Sequence, residues 1–132
     1  MQFVGPVERI PDVERNMDLI REMLLRIAAD PKLNGCSRYA FTSADNLGNY
    51  SQEELNYHVD QLFNAGFVDG SPNSNPSPTV SKLTWKGHEF VDNIRDSGVW
   101  ENVKERFQGL PSVSLKIVAD IATAVVKKKL GL

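Results

Sequence analysis

The sequence predicts a mainly helical α+β fold, and three observations lead to this class. Several segments repeat apolar residues at steps of three and four, the spacing that gives a helix one buried face. Two β-prone segments flank the proline-rich run SPNSNPSPT, which predicts a hairpin with a long exposed loop. The chain has 132 residues, of which 41% are hydrophobic and 24% are charged, as expected of a single globular domain with one core.

The first helix is predicted over NMDLIREMLLRIAAD, and Pro31 and Gly35 are expected to end it. Residues 1–14 contain two prolines and four charged residues without any period, and we expect an N-terminal extension or loose arm there. Residues 15–132 are expected to form one domain. The apolar face of the first helix consists of Met17, Ile20, Met23, Leu24, Ile27 and Ala28.

The next elements follow from turn and capping signals. SRYAFTS is rich in aromatic and hydroxyl residues and predicts a short strand, whereas ADNLGNY allows no more than one helical turn. Ser51 and Glu54 form a capping-box pattern that starts a second helix, and Gly66 suits the left-handed position after its last turn. The buried stripe of this helix is predicted to be Leu55, Val59, Leu62 and Phe63.

The second half of the chain predicts a hairpin and three more helices. GFVDG and TVSKLTW are expected to pair around a loop at about residues 70–80. Thr84 is expected to cap a third helix, which Gly98 ends; a fourth covers VWENVKERFQG, and a fifth follows Pro111. The predicted core residues of the third and fourth helices are Trp85, Phe90, Val91, Ile94, Trp100, Val103 and Phe107.

This order of elements is that of a winged helix-turn-helix with a two-stranded wing and two extra C-terminal helices. The phrase LNYHVDQLFNAGFVDG, followed by SKLTWKGHEFV, resembles many winged-helix transcriptional regulators. From about Arg15 to Leu132 the chain is more closely similar to an uncharacterised bacterial and prophage family of winged-helix-like proteins. The phrases that carry this similarity are RNMDLIREMLL, EELNYHVDQLFNAGFV, LTWKGHEFVDNIRDSGVWENVK and SLKIVADIATAVVKKKLGL. The resemblance implies the fold and transfers no established activity.

The resemblance implies a regulator that binds double-stranded DNA through the helix at residues 51–65 and through the wing. With the apolar stripe of this helix turned inward, its polar residues face outward, and the wing's return strand is flanked by lysines. Asparagine and glutamine read adenine in the major groove, and tyrosine and lysine contact phosphate. The candidate nucleic-acid contacts are Asn56, Tyr57, Gln61, Asn64, Lys82 and Lys86.

The charges favour a second interpretation, in which the chain is a winged-helix protein–protein interaction module that does not bind DNA. Residues 51–65 contain three acids and no lysine or arginine, and the formal net charge of the chain is −2. Acids repel phosphate, and most non-specific affinity for DNA comes from basic contacts. A protein partner is therefore the alternative to DNA.

The last helix predicts a homodimer. Lys116, Asp120, Thr123 and Lys127 make one narrow polar strip, and apolar residues cover most of the remaining circumference. A two-fold contact between copies is the commonest way to cover such surplus apolar surface, although the rest of the same chain is an alternative cover. The candidate dimer interface consists of Ile117, Val118, Ile121 and Val125.

Other classes of site lack a pattern in the sequence. His58 and His88 have no further His or Cys at metal-ligand spacing, so both are interpreted as packing or capping residues and no metal is expected. No glycine-rich phosphate loop or nucleophile motif occurs, so neither an enzyme nor a cofactor is expected. The single Cys36, the lack of a long apolar run and the acidic, proline-containing start predict a cytoplasmic protein without membrane contact.

Overall fold

The computed structural model describes residues 14–110 and 112–132. Within these ranges the chain is mainly helical, with one short 3-10 helix and one antiparallel pair of strands, so the predicted α+β class is confirmed. The predicted extension at residues 1–14 lies outside the described residues except for Glu14. The elements are α1 (Met17–Ala29), α2 (Gln52–Asn64), β1 (Val68–Ser71), β2 (Thr79–Leu83), α3 (Trp85–Ile94), α4 (Ser97–Phe107) and α5 (Leu115–Lys129).

Helix α1 packs against α2, β2 and α3 and supplies the middle of the core. It starts at Asn16, whose side chain accepts a hydrogen bond of 3.1 Å from the Leu19 amide and so satisfies one free donor of the first turn. The helix ends at Ala29, before Pro31, as predicted. Its buried residues are Leu19, Ile20, Met23, Leu24 and Ile27.

Helix α2 begins and ends as its sequence signals predict. The Ser51 hydroxyl accepts a hydrogen bond of 3.1 Å from the Glu54 amide, and the Glu54 carboxylate accepts one of 2.8 Å from the Ser51 amide. Gly66 then takes the left-handed conformation with a φ of 77°. The predicted stripe is confirmed at Leu55, Val59 and Leu62, whereas Phe63 is partly buried.

The hairpin of β1 and β2 follows α2 directly. Val68 lies opposite Leu83, and the register shifts at a bulge between Asp69 and Gly70. Gly70 is required there, because its φ is 154° and a Cβ atom would lie 2.2 Å from the Thr79 carbonyl oxygen. The polar loop over residues 72–78 connects the two strands.

The predicted strand SRYAFTS is reduced to a single bridge between Tyr39 and Val80, with two backbone hydrogen bonds of 2.9 and 2.8 Å. The strand stops there because Phe41 turns into the core and Thr42 caps the 3-10 helix at Ser43–Asp45. ADNLGNY accordingly contributes no more than one helical turn, as predicted.

The position of Trp85 contradicts its predicted core role, because its side chain is 80% exposed. Thr84 caps α3 as predicted, with its hydroxyl accepting from the Gly87 amide. Gly87 lies on the side of α3 that packs against the protein, because a Cβ atom there would lie only 2.1 Å from the Phe67 carbonyl oxygen. Trp85 precedes Gly87 by two residues, about 200° around the helix, and therefore points to solvent.

The boundary between α3 and α4 also differs from the prediction. Helix α3 ends at Ile94, and the Asp96 carboxylate caps α4 by accepting a hydrogen bond of 2.9 Å from the Val99 amide. Gly98 therefore lies in the first turn of α4 and does not terminate α3. The side chain of Asp96 competes for the amides of the next turn, which starts a new helix at this point.

Helices α4 and α5 form a C-terminal layer against α3 and α1. Trp100 and Val103 of α4 are buried, as predicted, and Phe107 is partly buried. Arg21 of α1 donates hydrogen bonds of 2.9 Å to the carbonyl oxygens of Ile94 and Arg95, which caps the C-terminal end of α3. The two extra C-terminal helices are thus integral to the core of the domain.

Candidate functional site

The outer face of α2 is the predicted DNA-reading surface. The structure places the three predicted amide side chains on the exposed or half-exposed side of this helix. The side-chain oxygen Oδ1 of Asn56 accepts a hydrogen bond of 2.9 Å from Gln52 Nε2. Asn64 Nδ2 donates one of 3.3 Å to an Asp60 carboxylate oxygen. These partners on the same helix are exposed, so DNA bases would have to displace them. The amides that this face presents are Asn56, Gln61 and Asn64.

Tyr57 lies on a different part of this surface from the one predicted. Its half-buried side chain lines a groove of about 400 Å³ together with Arg15, Phe107, Leu110 and residues that precede α5. Its ring also meets the His58 ring edge to face at 5.2 Å between centroids. Tyr57 therefore faces the C-terminal layer.

His58 has the structural role that the sequence predicts. Its Nε2 atom accepts a hydrogen bond of 2.8 Å from the Asn16 amide, so the ring proton lies on Nδ1, which donates to the Glu54 carbonyl oxygen at 2.7 Å. Burial lowers the pKa of His58 below its usual value, against the opposing effect of the bond to Glu54. The neutral ring thereby fixes the start of α1 on the middle of α2.

The two predicted lysines lie at the base of the hairpin. The stem of Lys82 runs over Gly35, where an added Cβ atom would lie 3.6 Å from Lys82 Cδ. Lys86 passes over Gly66, and its ammonium group lies 6.0 Å from the centroid of the Phe67 ring. Lys86 thus lies beside Gly66, which follows the C-terminal end of α2, and Lys82 lies on β2 beside Gly35.

The charges near this surface are mixed. Helix α2 carries three acids and no cation, although the Glu54 carboxylate is used in the capping box. Asp69 lies opposite Lys82 in the strand register, so a carboxylate offsets part of that cation. Few positive charges are therefore available for phosphate contacts.

Trp85 is the surface residue that the sequence analysis missed. It lies in the first turn of α3, next to Lys86 and directly after β2. The signal for its exposure is present in the sequence, because Trp85 and the buried Phe90, Val91 and Ile94 fall on opposite sides of a helical projection. A large exposed indole at this position is a candidate contact residue.

The structure corrects two of the four predicted dimer contacts. Val118 and Val125 of α5 are 0% and 1% exposed and belong to the chain's own core, packed against α3 and α4. Ile117 remains 46% exposed, and Ile121 is partly buried. Only a rim of the predicted interface is therefore available to a second copy.

Within residues 14–110 and 112–132, no group of three His, Cys, Asp or Glu side chains is arranged to hold a metal ion. In the same ranges, no helix combines the length and apolarity needed to cross a membrane.

A protein family and one further protein are similar to this chain. The family described as "Hypothetical protein (DUF2513)" matches residues 14–114. An uncharacterized protein of Haemophilus influenzae is 29% identical over 123 residues, which cover 90% of this chain and 100% of the relative. No solved structure matches the chain. Because the family match extends over more than half of its length, the chain belongs to the DUF2513 family.

Proposed function

We propose that the chain is a winged-helix regulator, of the kind carried by bacteria and their prophages, that binds duplex DNA through α2 and the hairpin. One observation carries the proposal. Helix α2 leads directly into a hairpin whose second strand is bridged by Tyr39, and α2 presents Asn56, Gln61 and Asn64 on its outer side. A helix of this kind fits the major groove, where amide side chains pair with adenine.

The small number of cations makes this binding weak and dependent on salt. Lys82 and Lys86 are the proposed phosphate contacts, and each such contact releases about one counterion. The acids Glu53 and Asp60 on the outer side of α2 oppose the approach of phosphate. We therefore expect sequence preference to come from the amides and the residual non-specific affinity to come from the lysines.

Fluorescence anisotropy with a labelled mixed-sequence duplex, titrated from about 25 to about 200 mM salt, tests the proposal. With two lysine contacts, the slope of log K against log salt should be about −2. Replacing Lys82 and Lys86 by Ala should weaken binding to all duplexes alike and flatten this slope by up to about one unit per contact. The matched control is Lys116→Ala, an exposed lysine on α5. Lack of binding at the lowest salt concentration would reject DNA binding.

A second candidate function is a protein-interaction module on the same scaffold. The exposed Trp85 favours it, because tryptophan is enriched among residues that dominate protein interfaces. The acidic charge of α2 also favours it over DNA binding. Asn56→Ala and Gln61→Ala separate the two functions: changed base preference supports DNA reading, and unchanged preference removes it from α2.

A further inference from the structure

The indole of Trp85 is exposed to an unusual degree for so large an apolar side chain. It is 80% exposed, whereas the other tryptophan, Trp100, is 2% exposed and packs in the core. The inner face of α3 is filled without Trp85, so this side chain contributes little to the fold. A role outside the chain's own packing therefore accounts better for a tryptophan at this position.

The backbone that carries Trp85 is held firmly. The Thr84 amide donates to the Phe67 carbonyl oxygen at 3.0 Å, and the Thr84 hydroxyl donates to the Gly66 carbonyl oxygen at 2.6 Å. Gly87 presses the same turn against Phe67, with no room for a Cβ atom. The indole thus projects from a well-held backbone, so binding of a partner would lose little backbone entropy at this turn.

Two lysines lie close to Trp85 along the chain. Lys82 lies three residues before Trp85 on β2, and Lys86 follows it on α3. Their nearest acids along the same elements are Asp69, opposite Lys82, and Glu89, one turn after Lys86. Neither lysine forms an ion pair with any residue of the described ranges. Among the described residues, Lys86 has no ion-pair partner, and Asp69 opposite Lys82 offsets only part of the charge of that lysine.

We propose that Trp85, Lys82 and Lys86, here called the Trp85 surface, dock onto another protein that offers an apolar pocket rimmed by carboxylates. A convex indole on a rigid turn fits a concave pocket, and burying it there removes a large apolar area from water. The carboxylate rim pairs with the two lysines and orients the contact. This docking rests on the second candidate function, the protein-interaction module, and it uses the two lysines that are also the proposed phosphate contacts.

Two other occupants fit the same residues less well. In duplex DNA the bases are stacked, and an indole reaches them only by unstacking a base step. A two-fold contact between copies centred on Trp85 would bring Lys82 and Lys86 of one copy against the same lysines of the other. Like charges then oppose that contact, whereas a partner with carboxylates stabilises it.

The test begins with capture by the immobilised full-length chain from a lysate of the bacterium that produces it, in parallel with Trp85→Ala and Leu132→Ala. Leu132 is the matched control because it is an apolar residue that is 85% exposed at another place on the chain. A protein whose recovery depends on Trp85 is purified, and its Kd is measured by calorimetry. Circular dichroism should give the same melting curve for both variants as for the wild type.

We expect Trp85→Ala to raise the Kd by at least about 30-fold, as at an interface hot spot. Lys86→Glu should raise it by about 10-fold, and Leu132→Ala should leave it unchanged. The emission of Trp85, read as the difference between wild type and Trp85→Ala, should shift to shorter wavelength on binding because the indole leaves water.

Three results would overturn the proposal. The first is that every captured protein binds Trp85→Ala as tightly as wild type. The second is a Trp85 emission shift produced by duplex DNA. The third is self-association that disappears in Trp85→Ala, which would assign the surface to a second copy. Asn56→Ala and Gln61→Ala change only α2, and Trp85→Ala changes only the indole, so failure of DNA binding and failure of docking are distinguishable.

Discussion

The indole Nε1 of Trp100 donates a hydrogen bond of 2.7 Å to the carboxylate of Asp18, which joins α4 to the first turn of α1. Lys104 adds bonds of 3.0 and 3.3 Å to the same carboxylate. Partial burial raises the pKa of Asp18, but the bonds from Trp100 and Lys104 outweigh it and hold the pKa below 3.8. Through this carboxylate the C-terminal layer is attached to the core helix.

Asp18→Asn is expected to lower the free energy of unfolding by about 1 kcal/mol, the value of a partly exposed charged hydrogen bond. Because the folded pKa is lowered, the contribution of Asp18 is complete above pH 3.8 and is lost as the pH falls through the folded value. Urea unfolding near neutral pH and in acid measures both effects. Asp92→Asn, an exposed carboxylate on α3, is the control and should change stability by less than about 0.5 kcal/mol.

His58 should make the protein less stable in mild acid. Its folded pKa is lowered, so the unfolded chain binds more protons once the pH falls below 6.5. Protonation of the ring at Nε2 would also break the hydrogen bond from the Asn16 amide, because two N–H donors would then face each other. The free energy of unfolding should therefore decrease as the pH falls from 6.5 toward the folded pKa.

The pH dependence is measured by urea unfolding in a series of buffers. His58→Gln should remove this slope while lowering stability at neutral pH. The control is His88→Gln, an exposed histidine of α3, which should keep the slope of the wild type. An equal slope in His58→Gln would assign the acid sensitivity to other groups.

Gly87→Ala should destabilise the domain by at least about 2 kcal/mol, because the new methyl group would overlap the Phe67 carbonyl oxygen. The clash involves backbone, which has little freedom to move. Gly98→Ala is the matched control, since its nearest atom is a flexible Asp96 carboxylate oxygen at 3.0 Å. Thermal and urea unfolding should show a change of less than about 1 kcal/mol for this control.

The hairpin loop over residues 72–78 should exchange its amide hydrogens much faster than α2. It contains no large apolar residue to bury, so fixing its backbone would lose entropy with little compensation. Its internal hydrogen bond from the Ser74 hydroxyl to the Ser77 carbonyl oxygen is a weak restraint by comparison. Protection in the loop equal to that in α2 would contradict the prediction.

A homodimer through the exposed rim of α5 stays a prediction. Ile117→Lys should shift sedimentation toward the monomer at micromolar concentration without a large loss of stability, because this residue is partly exposed. Val118→Ala should instead lower the free energy of unfolding by about 1 to 3 kcal/mol, since it removes buried methyl groups. A wild-type chain that sediments as a monomer would reject the dimer.

The elements of this fold follow from local signals, whereas its surfaces do not. The caps at Ser51 and Thr84 and the left-handed Gly66 depend on neighbouring residues, so the sequence predicts them. The predicted core position of Trp85 is wrong because it rests on the hydrophobic side chain alone. The position of Trp85 in this helix of ten residues places it opposite the buried face.

The candidate site and the dimer interface depend on tertiary contacts that periodicity does not contain. The sequence predicts the wide apolar arc of α5, but it does not show that α3 and α4 of the same chain cover Val118 and Val125. Likewise, the place of Tyr57 in a groove beside Phe107 depends on how α4 folds back toward α2. These relations join residues of different elements, such as Tyr57 of α2 and Phe107 of α4, and lie beyond the reach of local patterns.

The bridge between Tyr39 and Val80 has a consequence for the behaviour of the protein at high concentration. Because residues 35–39 bond to the outer side of β2, the exposed side of β1 is where a foreign strand could add to the described sheet. That strand has four residues, pairs irregularly with β2 between Asp69 and Gly70, and exposes the charge of Asp69, all of which oppose the growth of a sheet between molecules. The hairpin is thus protected against edge-to-edge aggregation even though it is not closed into a barrel.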